Sequence, residues 1–213
     1  MAQFRMNGSK MLAVDMTGET IKALNGSMVA YEGSMNFKRQ GMTGGEGVMG
    51  ALRRRVSGES VTLMEVTGQG TVYFANLAHE ITLVQLQGET LLVESSNLLA
   101  IDGQLQTGVQ FTGLRGMSTG QGLATTKIEG HGTVAIVSDG PAIALEVGQG
   151  MPLCVDPQAF VASRGQLQQD FVTDVNWRTA LGQGSGESFQ IRFQGHGLVY
   201  IQPAERSGGL AEI

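Results

Sequence analysis

The sequence predicts an all-β chain made of three copies of one unit, set around a pseudo-threefold axis. Two recurrences carry this expectation. A nineteen-residue block occurs three times without a gap, at 18–36, 88–106 and 150–168, with an identical opening glycine (Gly18, Gly88, Gly150), alanine (Ala30, Ala100, Ala162) and second glycine (Gly33, Gly103, Gly165). A Gly-x-Gly landmark also recurs three times, as Gly68-Gln-Gly70, Gly130-His-Gly132 and Gly195-His-Gly197. Composition agrees: 41% apolar and 15% charged residues, with 32 glycines against 4 prolines, suit many short strands joined by tight turns.

Each unit is read from its pattern. A strand precedes every block, at 12–16, 81–86 and 142–147. Within the block, apolar residues three and five positions after the first glycine (Ile21 and Ala23, Leu91 and Val93, Leu153 and Val155) show the period-two alternation of a half-buried strand. The alternation of the preceding strands does not superimpose without a one-residue slip, which implies a bulge. Apolar and β-branched runs flank each Gly-x-Gly, and glycine readily takes the positive φ of a tight turn, so these segments predict β-hairpins.

Chain order then suggests interleaving. The last hairpin has no block after it, so it is expected to complete the first unit and close a ring, removing free sheet edges. On this reading a single domain spans 1–213, with unit one at about 1–56 completed by 186–203, unit two at about 57–119 and unit three at about 120–185.

Charge and cysteine usage narrow the partners. A net charge of −5 disfavours a broad nucleic-acid footprint, which requires a basic face. One cysteine, Cys154, excludes an intramolecular disulfide, and its neighbours Leu153 and Val155 predict a buried thiol. The start, MAQFRMNGSK, has no apolar stretch of signal-peptide type, and no apolar run reaches the length of a membrane helix; the expectation is a cytoplasmic protein, in contact at most with a membrane surface.

The ordered motifs Asn25-Gly-Ser-Met-Val-Ala-Tyr31, Gly68-Gln-Gly-Thr-Val-Tyr-Phe-Ala75, Gly182-Gln-Gly-Ser-Gly-Glu-Ser-Phe189 and Phe193-Gln-Gly-His-Gly-Leu-Val-Tyr-Ile-Gln-Pro203 span nearly the whole chain. In these the chain resembles bacterial members of the altered-inheritance-of-mitochondria protein twenty-four family. The resemblance implies three tandem units like the β-sandwich of the tryptophan RNA-binding attenuation protein, a double-stranded β-helix-like architecture. It carries over no catalytic residue. The RNA-binding protein of that fold uses basic side chains repeated on each unit, and no such recurring cluster is present here, so shared fold is weak warrant for RNA binding.

Two groups of side chains are candidates for function. Lys38, Arg39, Arg53, Arg54 and Arg55 place 5 of the 14 basic residues around an insertion found in the first unit alone, and such a patch suits an anionic lipid surface, an acidic protein partner or nucleic acid. Gln69, His131 and His196 occupy the middle of the three Gly-x-Gly segments; facing the axis they would converge as metal ligands, although glutamine is a poor third donor. Gly45-Glu-Gly-Val-Met-Gly50 matches a dinucleotide fingerprint but lacks a βαβ context, so no cofactor is expected. Carboxylates, serines and His79 form no nucleophile or acid–base grouping. The favoured reading is a non-enzymatic scaffold for a protein or membrane-surface partner, with self-association through any unpaired strands. A ligand or metal module at the axis is the alternative, and RNA binding by analogy comes third.

Overall fold

The structure is a computed structural model that describes residues 1–39, 62–112, 123–148, 150–173 and 189–204. Those residues form strands β1 (Gln3–Met6), β2 (Leu12–Leu24), β3 (Met28–Arg39), β4 (Leu63–Phe74), β5 (Glu80–Gln87), β6 (Leu91–Glu94), β7 (Leu98–Asp102), β8 (Gln106–Thr112), β9 (Leu123–Glu129), β10 (His131–Ser138), β11 (Ile143–Val147), β12 (Leu153–Val155), β13 (Phe160–Thr173) and β14 (Phe189–Ile201), with one 3-10 turn at Ser95–Asn97. They assemble into two seven-stranded antiparallel sheets. One has the order β3-β4-β2-β7-β10-β5 with β1 also on β2, the other β11-β14-β13-β6-β9-β8 with β12 also on β14.

The same pairing scheme occurs three times. β4 lies between β2 and β3. β10 and β9 lie between β5–β6 on one side and β7–β8 on the other. β14 lies between β11–β12 and β13. Each Gly-x-Gly strand therefore pairs with the block directly before it, giving three successive modules at 12–74, 80–138 and 143–201. The same bulge recurs in each: Val29, Leu99 and Val161, all eleven positions after the opening glycine, are skipped in the ladder just before the identical alanine.

Two expectations are corrected here. The Gly-x-Gly segments are not hairpins: β4 and β14 run straight through them, and β9 and β10 meet at Gly130. Positive φ at Gly68, Gly70, Gly130, Gly132 and Gly195 lets a strand bend there without reversing. The C-terminal segment also does not complete the first module, because both sides of β14 are occupied by its own module.

Modules join through short antiparallel seams. β2 meets β7 with Ile21 opposite Asp102, Lys22 opposite Ile101 and Ala23 opposite Ala100. β6 meets β13 with Leu91 opposite Arg164, Leu92 opposite Ser163 and Val93 opposite Ala162. Counted from the block's first glycine the two seams are identical: positions three, four and five of one module face fourteen, thirteen and twelve of the next.

The cores follow the seams. β10 and β7, in the middle of the first sheet, are apolar on both faces: Ala135, Val137, Leu99 and Ala100 enter a cluster with Leu12, Val14, Ile21 and Phe74 of the first module. Val134, Ile136, Leu98 and Ile101 enter a second cluster with Leu91, Ile128, Val161 and Tyr200, which ties modules two and three. A third cluster, built on stacked Phe160 and Phe193 with Val147, Val155 and Ile191, is internal to the last module. No described helix is long and apolar enough to cross a membrane.

Candidate functional site

The block's second glycine marks a place where two backbones touch. Gly33 pairs with Gly70 and Gly165 with Gly197. A Cβ on Gly33 would overlap the Gln69 carbonyl, one on Gly165 the His196 carbonyl, and one on Gly70 the Glu32 carbonyl. In the first and third modules the block's second glycine and the Gly-x-Gly are thus two halves of one strand contact, which only a residue lacking Cβ can make, whereas Gly103 of the second module lies against the Thr20 carbonyl of the first.

The middle residues of these segments stand outside that contact. Gln69, His131 and His196 are all exposed, Gln69 and His131 on the first sheet and His196 on the second. The His131 ring lies against Gly88 of its own module. Among the described residues no group of three or more His, Cys, Asp or Glu could hold a metal ion.

The block's opening Gly-Glu has a separate local role. The Glu19 carboxylate accepts hydrogen bonds from the Met1 ammonium at 2.7 Å and the Thr17 N–H at 2.6 Å. These hold its carboxyl down at about 2. Glu89 repeats the device, accepting from the Gln87 N–H at 2.8 Å; burial pushes its carboxyl up, but that N–H, its own, and the charges of Arg164 and His131 leave it below the ordinary value. Met151 stands at this position in the third module, where the turn closes instead on a Gly148–Met151 bridge.

Of the basic patch, Lys38 and Arg39 are described and exposed at the end of β3, whereas Arg53, Arg54 and Arg55 lie outside the described residues. Lys22, Glu65 and Lys38 face one another in a row across β2, β4 and β3. Arg39 Nε donates to Asn25 Oδ1 at 3.3 Å. The corresponding positions of the other modules hold Gly108 with Val109 and Asp170 with Phe171, so the cationic strand end belongs to the first module alone.

A shallow cleft of about 210 Å³ lies at the seam of modules two and three, lined by Thr90, Lys127, Ser163, Arg164 and Gln169 among others. Its charges are already matched: Lys127 Nζ lies 2.9 Å from Glu129 Oε1, and Arg164 Nη1 lies 3.4 Å from Glu89 Oε1. Gln169 Nε2 donates to Ser163 Oγ at 2.8 Å. The cleft is smaller than the usual pocket for an organic ligand.

Cys154 is exposed, contrary to the sequence expectation. Val155 is buried, and alternation along β12 turns Cys154 to the other side. β12 has β14 as its sole strand partner among the described residues, and β3 has only β4. The free edge of β3 carries Val29 at 54% exposure and Tyr31 at 49%. Sequence reasoning missed these two edges. The signal available was the identical alanine: Ala100 and Ala162 are wholly buried at seams, whereas Ala30 is exposed.

The fold has a solved counterpart in a crystal structure of a Streptococcus pyogenes protein, which aligns with a TM-score of 0.73 over 96% of this chain and 94% of that one at 24% identity. At the sequence level, an uncharacterised protein of Streptococcus pyogenes serotype M6 is 28% identical over 194 residues, covering 87% of this chain and 77% of its own. The family model described as mitochondrial biogenesis AIM24 matches residues 4–204, and the chain belongs to that family.

Proposed function

We propose that this protein is a non-enzymatic scaffold of three modules, each like the β-sandwich of the tryptophan RNA-binding attenuation protein, that engages an anionic protein or membrane surface through its first module. One observation carries the reading: the exposed Lys38–Arg39 end of β3 leads directly into the segment holding Arg53, Arg54 and Arg55, and the other two modules have no cation at those positions. The repeated features support a structural role for the rest, since Gly33, Gly103 and Gly165 stand at close backbone contacts and two of the three shared alanines, Ala100 and Ala162, lie at seams where modules meet. The cleft between modules two and three adds to this, its cations Lys127 and Arg164 being engaged by Glu129 and Glu89. RNA binding by analogy would need the basic positions repeated on every module, and Gly108, Val109, Asp170 and Phe171 occupy them instead.

Flotation with neutral and anionic vesicles, run beside pull-down from lysate, tests the reading with wild type and an Arg53/Arg54/Arg55→Ala variant. Expected is binding to an anionic surface that weakens as salt rises and falls at least several-fold in the variant. Equal binding by the two proteins removes the patch as the contact.

A further inference from the structure

We propose that copies of this chain join head to tail, β12 of one copy pairing with the free edge of β3 in the next. The seams inside the chain supply the template. Each uses positions three to five of one block against positions twelve to fourteen of the following block, in the same antiparallel register. Three blocks supply three sets of each, and two sets are used. The two left over are Leu153–Val155 of the last module and Ala30–Glu32 of the first, and both edges are unpaired among the described residues.

Exposure singles out the same residues. Val29, Leu99 and Val161 are equivalent bulge residues; Leu99 and Val161 have no exposure, while Val29 is 54% exposed. Tyr31 is half exposed where its counterparts Ile101 and Ser163 are buried, and Ala30 is exposed where Ala100 and Ala162 are buried. At the other end Met151 is 81% exposed and Cys154 is exposed. An apolar strand edge of this kind is a template for another strand, and the strand whose sequence matches it is β12. Among the described residues the two edges are not paired with each other, so the matching strand is assigned to a second copy. Each copy then offers one edge of each kind, an interface that propagates into a ring or a filament.

The internal seams set the register of the new one: Leu153 opposite Glu32 of the next copy, Cys154 opposite Tyr31, and Val155 opposite Ala30. Directly opposed Cα atoms in an antiparallel pair are about 4.5–5.5 Å apart, within disulfide range. Cys154 is the sole cysteine, so Tyr31→Cys creates a defined reporter. Under mild oxidation or a short bismaleimide, the Tyr31→Cys protein should give a ladder of cross-linked multimers on non-reducing gels, abolished in Tyr31→Cys/Cys154→Ser. Light scattering of wild type should give masses that rise with concentration to multiples of 22.5 kDa. Ala30→Trp should hold the mass at one chain without lowering the melting temperature of the dilute protein.

A fast-migrating monomer with the cross-link inside one chain would overturn the proposal and establish a closed pseudo-threefold ring. A wild type that stays at one chain mass at every concentration, with no cross-link, would also overturn it. The proposal is independent of the basic patch: Arg53/Arg54/Arg55→Ala should still self-associate, and Ala30→Trp should still bind anionic vesicles if the patch does.

Discussion

The five residues Met28–Glu32 and their counterparts Leu98–Asp102 stand at the same positions of the repeated block, yet they occupy opposite environments. In β7 all five are buried, with β2 on one side and β10 on the other. In β3 Met28 is half-buried and the other four are exposed, with β4 on one side only. The bulge, the alanine and the strand direction are the same. What differs is the presence of a preceding module, so burial here is a property of the seam rather than of the block.

The largest effect separates what the block needs everywhere from what it needs at a seam. Gly33 at the outer edge and Gly165 at an inner seam have φ of 95° and 105°, and a Cβ on either would overlap a carbonyl of its own module's Gly-x-Gly strand. Gly33→Ala and Gly165→Ala should each cost about 1–3 kcal/mol from backbone strain, with the carbonyl overlap adding to it. Gly108→Ala, with no atom near its Cβ and no positive φ, should change stability by about 0.5 kcal/mol or less. Urea denaturation of the three variants checks this. A mild Gly33 variant beside a costly Gly165 variant would show that the crossing too depends on the seam.

Next in size is the bulge position, where the comparison predicts inequality. Val161→Ala removes two methyl groups from a fully buried site and should cost about 2 kcal/mol through lost transfer energy and the cavity left behind. Val29→Ala, at the same block position but exposed, should cost about 0.5 kcal/mol or less in dilute protein. Thermal melts at low and high protein concentration sharpen the contrast. If β3 is covered by a second copy, the Val29 variant loses stability at high concentration alone.

The sequence made the repeated parts legible and left their connections obscure. Identity at Gly33, Gly103 and Gly165 announced a backbone requirement, and alternation around Ile21, Leu91 and Leu153 located strands. Positive φ at Gly68 and Gly70, however, serves a strand crossing as well as it serves a turn, so composition could not distinguish a hairpin from a bent strand. That ambiguity produced the interleaved arrangement, which the partners of β14 replace. Cys154 was legible and misread: if Val155 points inward along a strand, its neighbour points out. Of the candidate residues, Lys38 and Arg39 are exposed together at one strand end, while Gln69, His131 and His196 share a repeat position on strands of two different sheets.

The smallest effect concerns the turn that opens each block, where the outer module adds a charge pair to the shared device. Glu19 accepts from Thr17 N–H as Glu89 does from Gln87 N–H, and it also binds the Met1 ammonium. With its carboxyl lowered from 4.5 to about 2, the Glu19 contribution is fully present above pH 4.5 and is lost as pH falls from there through about 2. The ammonium is raised by the same contact, so its share is present below about pH 8 and is lost as pH rises through the raised value. Glu19→Gln keeps an amide oxygen for Thr17 N–H but no charge for Met1. Its urea midpoint should lie slightly below wild type at pH 7 and converge with it by pH 2. A pH-independent offset would assign the turn's stability to the Thr17 hydrogen bond, making the outer and inner modules alike at this position.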